Sequence, residues 1–231
     1  MLLQLMRTRR KQVLIDINTQ RGYLLAKGHA CIRNHRRVLG HIRRIMAWTR
    51  HSGIPIISTC QVQTQTESEE LDLQLDQRKV GYTILRERAI SFPAENSMDL
   101  PRDVLRKYQQ VILHKRSPDP FDEPRIDRLL SELHAEEFLI IGTTAEETVQ
   151  AVVLGLLQRH KPVTVISDAI GTHNPQECKI ALRKMEAKGA KMVETRKIAG
   201  SSHLRFIGAC GCELCQQAAM KSPLLHHHLN S

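Results

Sequence analysis

A chain of 231 residues with 41% hydrophobic residues can build one sizeable core, and with aromatics at 3% that core must be filled by Leu, Ile and Val. The net charge of +10 fits nucleic acid, anionic ligands or a solvated basic surface; no nucleic-acid motif or row of interleaved aromatics accompanies it, so the solvated surface is favoured. No stretch approaches the ~20 apolar residues of a membrane span, and Arg7 interrupts the opening MLLQLMRTRRKQ too early for a signal-peptide core, so the expected compartment is the cytoplasm, with the six cysteines reduced.

Six short apolar or β-branched runs recur along the chain: VLIDI (13–17), IPIIST (54–59), VILHK (111–115), FLIIG (138–142), VTVISDA (163–169) and KMVET (191–195). Continuous runs of this length fit strands buried on both faces. Between the first two, Val38, Ile42, Ile45 and Thr49 form one stripe of a helix over about 34–51, which Gly53-Ile54-Pro55 ends. Residues 61–100 break the alternation; their polar, locally acidic start reads as a loop, with a lid or an oligomer contact as its expected use. Three further helical stripes follow: Ile126, Leu129, Leu130 and Leu133; Val149, Val152, Val153 and Leu156; then Ile180, Leu182 and Met185. Alternating strands and helices imply right-handed crossovers and a parallel α/β sheet. The pattern gives a basic extension at 1–11, one domain at 12–198 and a tail at 199–231 that carries cysteine and histidine.

Ligands of a doubly wound sheet bind beyond the carboxyl ends of its strands, where strand order reverses. Asp16 lies at the end of the first run, Lys115 closes the third, and Gly142 closes the fourth just before Thr148. If the first and fourth runs are neighbours, a carboxylate, an amine and a hydroxyl converge as base, electrostatic group and nucleophile. Taken singly, each also reads as an ordinary residue at a strand end or in a first helical turn.

The segments VLIDINTQRGYLL, HKRSPDPF, IIGTTAEETVQAVVLGLLQRHKPVTVISDAIG and ALRKMEAKGAKMVET resemble, in order and spacing, those of the isochorismatase-like hydrolases, also called the cysteine hydrolase family. The resemblance spans about residues 12–198. It implies a three-layer α/β/α sandwich around a six-stranded parallel, Rossmann-like sheet. It also implies a catalytic aspartate, lysine and cysteine at Asp16, Lys115 and Thr148, with Asn18 where the family usually has glutamine. Backbone N–H groups at the turn Thr143, Thr144 and on through Glu147 would form the oxyanion hole, with a cis Thr143–Thr144 peptide. The expected function is hydrolysis of a small molecule, anionic ones included, without a thiol. The alternative is a catalytically silent member that binds, scaffolds or associates with nucleic acid.

Thr148 is the decisive departure, because an alcohol needs a strong partner base where a thiol ionises readily. Isochorismatase-type members of the resembled family also lack the cysteine and hydrolyse a vinyl ether through the aspartate without a covalent intermediate. Nicotinamidase-type members bind metal through histidines after the second strand, but STCQVQTQTESEELDLQ contains none, so no catalytic metal or other cofactor is expected. Cys60 reads as a pocket thiol or, favoured, as a small buried one. In the tail, Cys210, Cys212 and Cys215 supply three ligands of a structural zinc site; His203, His226, His227 or His228 would complete it. The competing reading is three reduced thiols. The expected partners are a small-molecule ligand and further copies of the chain, with no membrane.

Overall fold

The computed structural model describes residues 10–62 and 76–200. The chain runs through β1 (Arg10–Ile17), α1 (Arg21–Leu24), α2 (His35–His51), β2 (Ile56–Gln61), β3 (Ala89–Phe92), α3 (Val104–Lys107), β4 (Gln110–Lys115), α4 (Pro124–Glu132), β5 (Ala135–Gly142), α5 (Gln150–Gln158), β6 (Val163–Ile170), α6 (Pro175–Ala187), β7 (Lys191–Val193) and α7 (Thr195–Ala199). All strand pairs are parallel, in the order β3-β4-β2-β1-β5-β6-β7. Strand order reverses between β1 and β5, which are paired with Asp16 opposite Ile141 and Ile17 opposite Gly142. The pairing expected between the first and fourth runs is therefore present.

The sheet has seven strands rather than the six read from the sequence. The additional strand, Ala89–Phe92, forms the edge beside β4 within the stretch that breaks the alternation. None of its four residues is fully buried, and it carries neither the length nor the continuous apolar run that marks the central strands.

Period-two alternation sends successive side chains to opposite faces of the sheet. Val13, Ile15 and Ile17 join Phe138, Ile140, Val152, Leu156 and Met185 in the layer covered by α4, α5 and α6. Leu14 joins Ile42, Ile45, Leu139 and Ile141 in the layer under α2, with α1 and α7 beside it. Both layers are filled with aliphatic side chains, as the scarcity of aromatics requires. Gly142 has φ +126°, and a Cβ there would lie 2.0 Å from the Ile17 carbonyl oxygen. Only glycine lets β5 leave the sheet this close to β1, and that departure sets the turn carrying Thr148.

Candidate active site

Asp16, the penultimate residue of β1, follows the alternation of Leu14 and so points to the α2 side of the sheet. It is fully buried, and its Oδ2 accepts hydrogen bonds from Lys79 Nζ at 2.7 Å and Ser58 Oγ at 2.8 Å. Lys79 is itself buried and also donates to Thr19 Oγ1 at 2.6 Å. Gln110 extends the network by donating to Ser58 Oγ at 2.8 Å. Asp16 Oδ1 has no hydrogen-bond partner among the described residues. The carboxylate is thus neutralised by one lysine inside a polar cluster, which is how a buried charge becomes tolerable.

The side chain that reaches Thr148 is Asn18. Its positive φ of 47° ends the strand alternation and turns the chain toward β5. The Asn18 amide donates to Thr148 Oγ1 at 3.4 Å, and its Oδ1 accepts from Thr59 Oγ1 at 3.4 Å. Thr143 Oγ1 donates to the Asn18 carbonyl at 2.9 Å, tying the two strand ends together. All four residues are buried.

Thr148 lies in a π-helical turn, Ala145–Val149, that leads into α5. Val149 N–H reaches back five residues to the Thr144 carbonyl at 3.0 Å. Wide turns of this type recur at functional sites because they re-aim a side chain without breaking the helix. The Thr143–Thr144 peptide is cis. Glu147 is exposed, and its carboxylate accepts from Thr144 Oγ1 at 3.4 Å.

Lys115 ends β4 fully buried. Its ammonium donates to Gln61 Oε1, to the Ser117 carbonyl at 2.7 Å and to the Pro118 carbonyl at 3.2 Å. It makes no ion pair with Asp16, whose cationic partner is Lys79. Burial pushes the Lys115 ammonium down to about 8, against the opposing attraction of Glu147, Asp119 and Glu123. Cys60 is buried at the end of β2, and burial pushes its thiol up to about 11, outweighing the nearby lysines. A small cleft bounded by Gln20, Tyr23, His29, Gln61, Asp76 and Gln77 reaches this region through Gln61, the residue that also accepts from Lys115.

The three residues expected to converge are therefore distributed over three hydrogen-bond systems. Asp16 belongs with Lys79 and Ser58, Thr148 with Asn18, and Lys115 with Gln61 and two carbonyls. Sequence reasoning missed Lys79, Ser58 and Gln61. Ser58 left a trace as a hydroxyl within an otherwise apolar strand; Lys79, 63 residues from Asp16, left none. Among the described residues, no three His, Cys, Asp or Glu side chains converge as a metal site. The zinc ligands expected at Cys210, Cys212 and Cys215 lie outside the described residues. No described helix is long and apolar enough to cross a membrane.

A parallel α/β sandwich with a polar cluster at the strand-order reversal defines a protein of the doubly wound α/β class. The isochorismatase domain profile matches residues 12–197, and the chain belongs to that family. Its fold is similar to that of the nicotinamidase PncA from Bacillus subtilis, with 14% identity, 80% of this chain and 99% of that one covered, and a TM-score of 0.62. It is also similar to YcaC from Escherichia coli, described as an octameric hydrolase of unknown specificity, at 15% identity, 82% and 78% coverage and a TM-score of 0.60. A third similar structure is the MAR1 ribonuclease from Caenorhabditis elegans, at 18% identity, 92% and 91% coverage and a TM-score of 0.55. Comparison with curated proteins finds no match.

Proposed function

We propose that this chain uses the isochorismatase fold to bind a small molecule at the β1–β5 strand ends, and that it works without a thiol or a covalent enzyme intermediate. One observation carries this reading: the Thr148 hydroxyl is partnered by the amide of Asn18, while the Asp16 carboxylate is committed to Lys79 and Ser58. A side-chain amide has no useful proton affinity, so it cannot activate an alcohol as a general base does. Asn18, Thr59 and Thr148 offer neutral hydrogen-bonding groups, and Lys115 adds a positive charge, a combination suited to a ligand with a carbonyl or carboxylate.

A second reading, non-covalent hydrolysis of a small anionic substrate, is favoured by Lys115. An ammonium brought to about 8 gives up its proton more readily than an ordinary lysine, and protonation of carbon is what hydrolysis of an enol ether requires. In both readings no cofactor serves the site. The Cys210, Cys212, Cys215 cluster stands apart as a structural zinc candidate, and residues 1–11 and 199–231 flank the domain as extensions. Homo-oligomerisation belongs to the same proposal, supported by the octameric assembly of the similar YcaC; so does a cytoplasmic location.

The test is an assay of amides, ureas and enol ethers against the wild type, Thr148→Ala and Lys115→Met, with ligand-induced thermal stabilisation measured in parallel. The binding reading expects stabilisation by a small carboxylate or carbonyl compound and no turnover. Enol-ether turnover lost in Lys115→Met, with a rate falling as pH rises through about 8, would establish the second reading. Amide hydrolysis abolished by Thr148→Ala would overturn both.

A further inference from the structure

We infer that the solvent face of α2 binds the phosphate backbone of duplex nucleic acid, independently of the site at Thr148. The helix sequence HRRVLGHIRRIMAWTRH contains five arginines, three histidines and no acidic residue. Its inner stripe, Val38, Ile42, Ile45 and Met46, is spent on the core. Arg36, Arg43 and Arg50 follow one another at seven-residue intervals on the exposed side, and Arg33 and Arg37 widen the row at its start. At 1.5 Å per residue the three arginines stand about 10 Å apart along a rod of about 25 Å.

Arg50 donates to the Tyr82 carbonyl at 3.3 Å, but folding alone does not account for the start of this face. Arg36 and Arg37 occupy the first helical turn, where the helix dipole disfavours positive charge and where no acidic residue stands. With no acid in the helix, no i,i+4 ion pair offsets the repulsion. Arg33, Arg36, Arg37 and Arg50 form no salt bridge with any described residue. Gly40 adds an independent sign. Glycine weakens a helix interior, yet a Cβ at Gly40 would meet nothing within 4 Å, so packing does not require its absence. A bare position in the middle of an arginine row lets a bulky polyanion come close to the backbone.

The chemistry of the face selects among polyanions. Trp48, the aromatic residue of α2, packs against the core, so it cannot stack on unpaired bases. The exposed row has no large apolar residue to enter a lipid surface, which membrane-bound amphipathic helices rely on. What remains is attraction to regularly spaced phosphates, which is indifferent to sequence.

The full-length protein can be titrated against a fluorescein-labelled 20-base-pair DNA duplex of mixed sequence, followed by anisotropy between 50 and 200 mM salt. Contact with about five phosphates predicts a log–log salt slope of roughly −4 to −5. Arg33→Glu, Arg36→Glu and Arg37→Glu together should weaken binding at least tenfold and flatten the slope. Folding is protected in that variant, because acids suit a helix N-terminus. The matched control, Lys179→Glu, Arg183→Glu and Lys184→Glu on exposed α6 of the opposite layer, should change affinity less than threefold. Thr148→Ala should bind as the wild type does, which separates this surface from the β1–β5 site. No binding by the wild type, equal losses in the two charge-reversed variants, or tighter binding to phosphatidylserine-containing vesicles than to the duplex would each overturn the inference.

Discussion

Asn18 donates its side-chain amide to the Thr148 hydroxyl at 3.4 Å, so the site at the β1–β5 junction pairs two neutral groups where the resembled hydrolases pair an acid with a thiol. The pairing depends on Asn18 leaving the strand with φ 47°, since Asp16, two residues earlier, still follows the alternation and points beneath α2. The nucleophile position is therefore altered and the carboxylate at the base position is held by Lys79 and Ser58, which governs what substitution at either can achieve.

Thr148→Cys alone should not yield amidase activity, because the new thiol would face an amide. Asn18→Asp with Thr148→Cys should release ammonia from an amide panel at least ~100-fold faster than either single variant, the usual scale of a positioned base. Robust turnover by Thr148→Cys alone would place the proton acceptor elsewhere.

Asp16→Ala should be strongly destabilising. It leaves the buried Lys79 ammonium without its partner carboxylate, which typically costs ~3–5 kcal/mol. For a chain of this size the melting temperature should fall by roughly 10 °C. Asp16→Leu combined with Lys79→Met should recover much of the loss, because removing both charges leaves neither stranded. Urea denaturation of the single and double variants measures the coupling; additive losses would show that the pair is not a unit.

Lys115 should make stability rise with pH. Its ammonium titrates at about 8 in the folded protein and near its ordinary 10.5 when unfolded. Between those values the unfolded chain binds the extra proton, so the unfolding free energy increases with pH across that window. Below about pH 8 both states are protonated and the full penalty of the buried charge is present. Lys115→Met should therefore be stabilised relative to wild type at pH 7 and should lose this rise between pH 8 and 10.5. Denaturant titrations at stepped pH read both effects; an unchanged profile would show that Lys115 does not titrate there.

Cys60 should resist alkylation in the folded protein. It is buried and its thiol sits at about 11, so little thiolate forms near neutrality. Iodoacetamide at pH 8 followed by peptide mass mapping should leave Cys60 unmodified until urea is added. Rapid native labelling would instead mark it as a candidate nucleophile.

The hydrophobic pattern by itself determined the fold class. Apolar runs such as Phe138–Ile141, repeated between amphipathic helices, can be buried only as central parallel strands. The edge strand Ala89–Phe92 escaped because a strand with partly exposed faces needs no continuous apolar run. Within the site, the sequence marked Asp16 and Lys115 as lying at strand ends and Thr148 in the helical turn that follows Gly142, and each does lie there. Which of them meet was decided only by the tertiary structure. Strand alternation sends Asp16 to the α2 side, the left-handed Asn18 redirects the next polar side chain to Thr148, and Lys79 arrives from 63 residues away to neutralise Asp16. Periodicity is a local property and can be read along the chain. Charge pairing in a low-dielectric interior depends on which groups the packed chain brings within a few ångströms, and no local pattern records that.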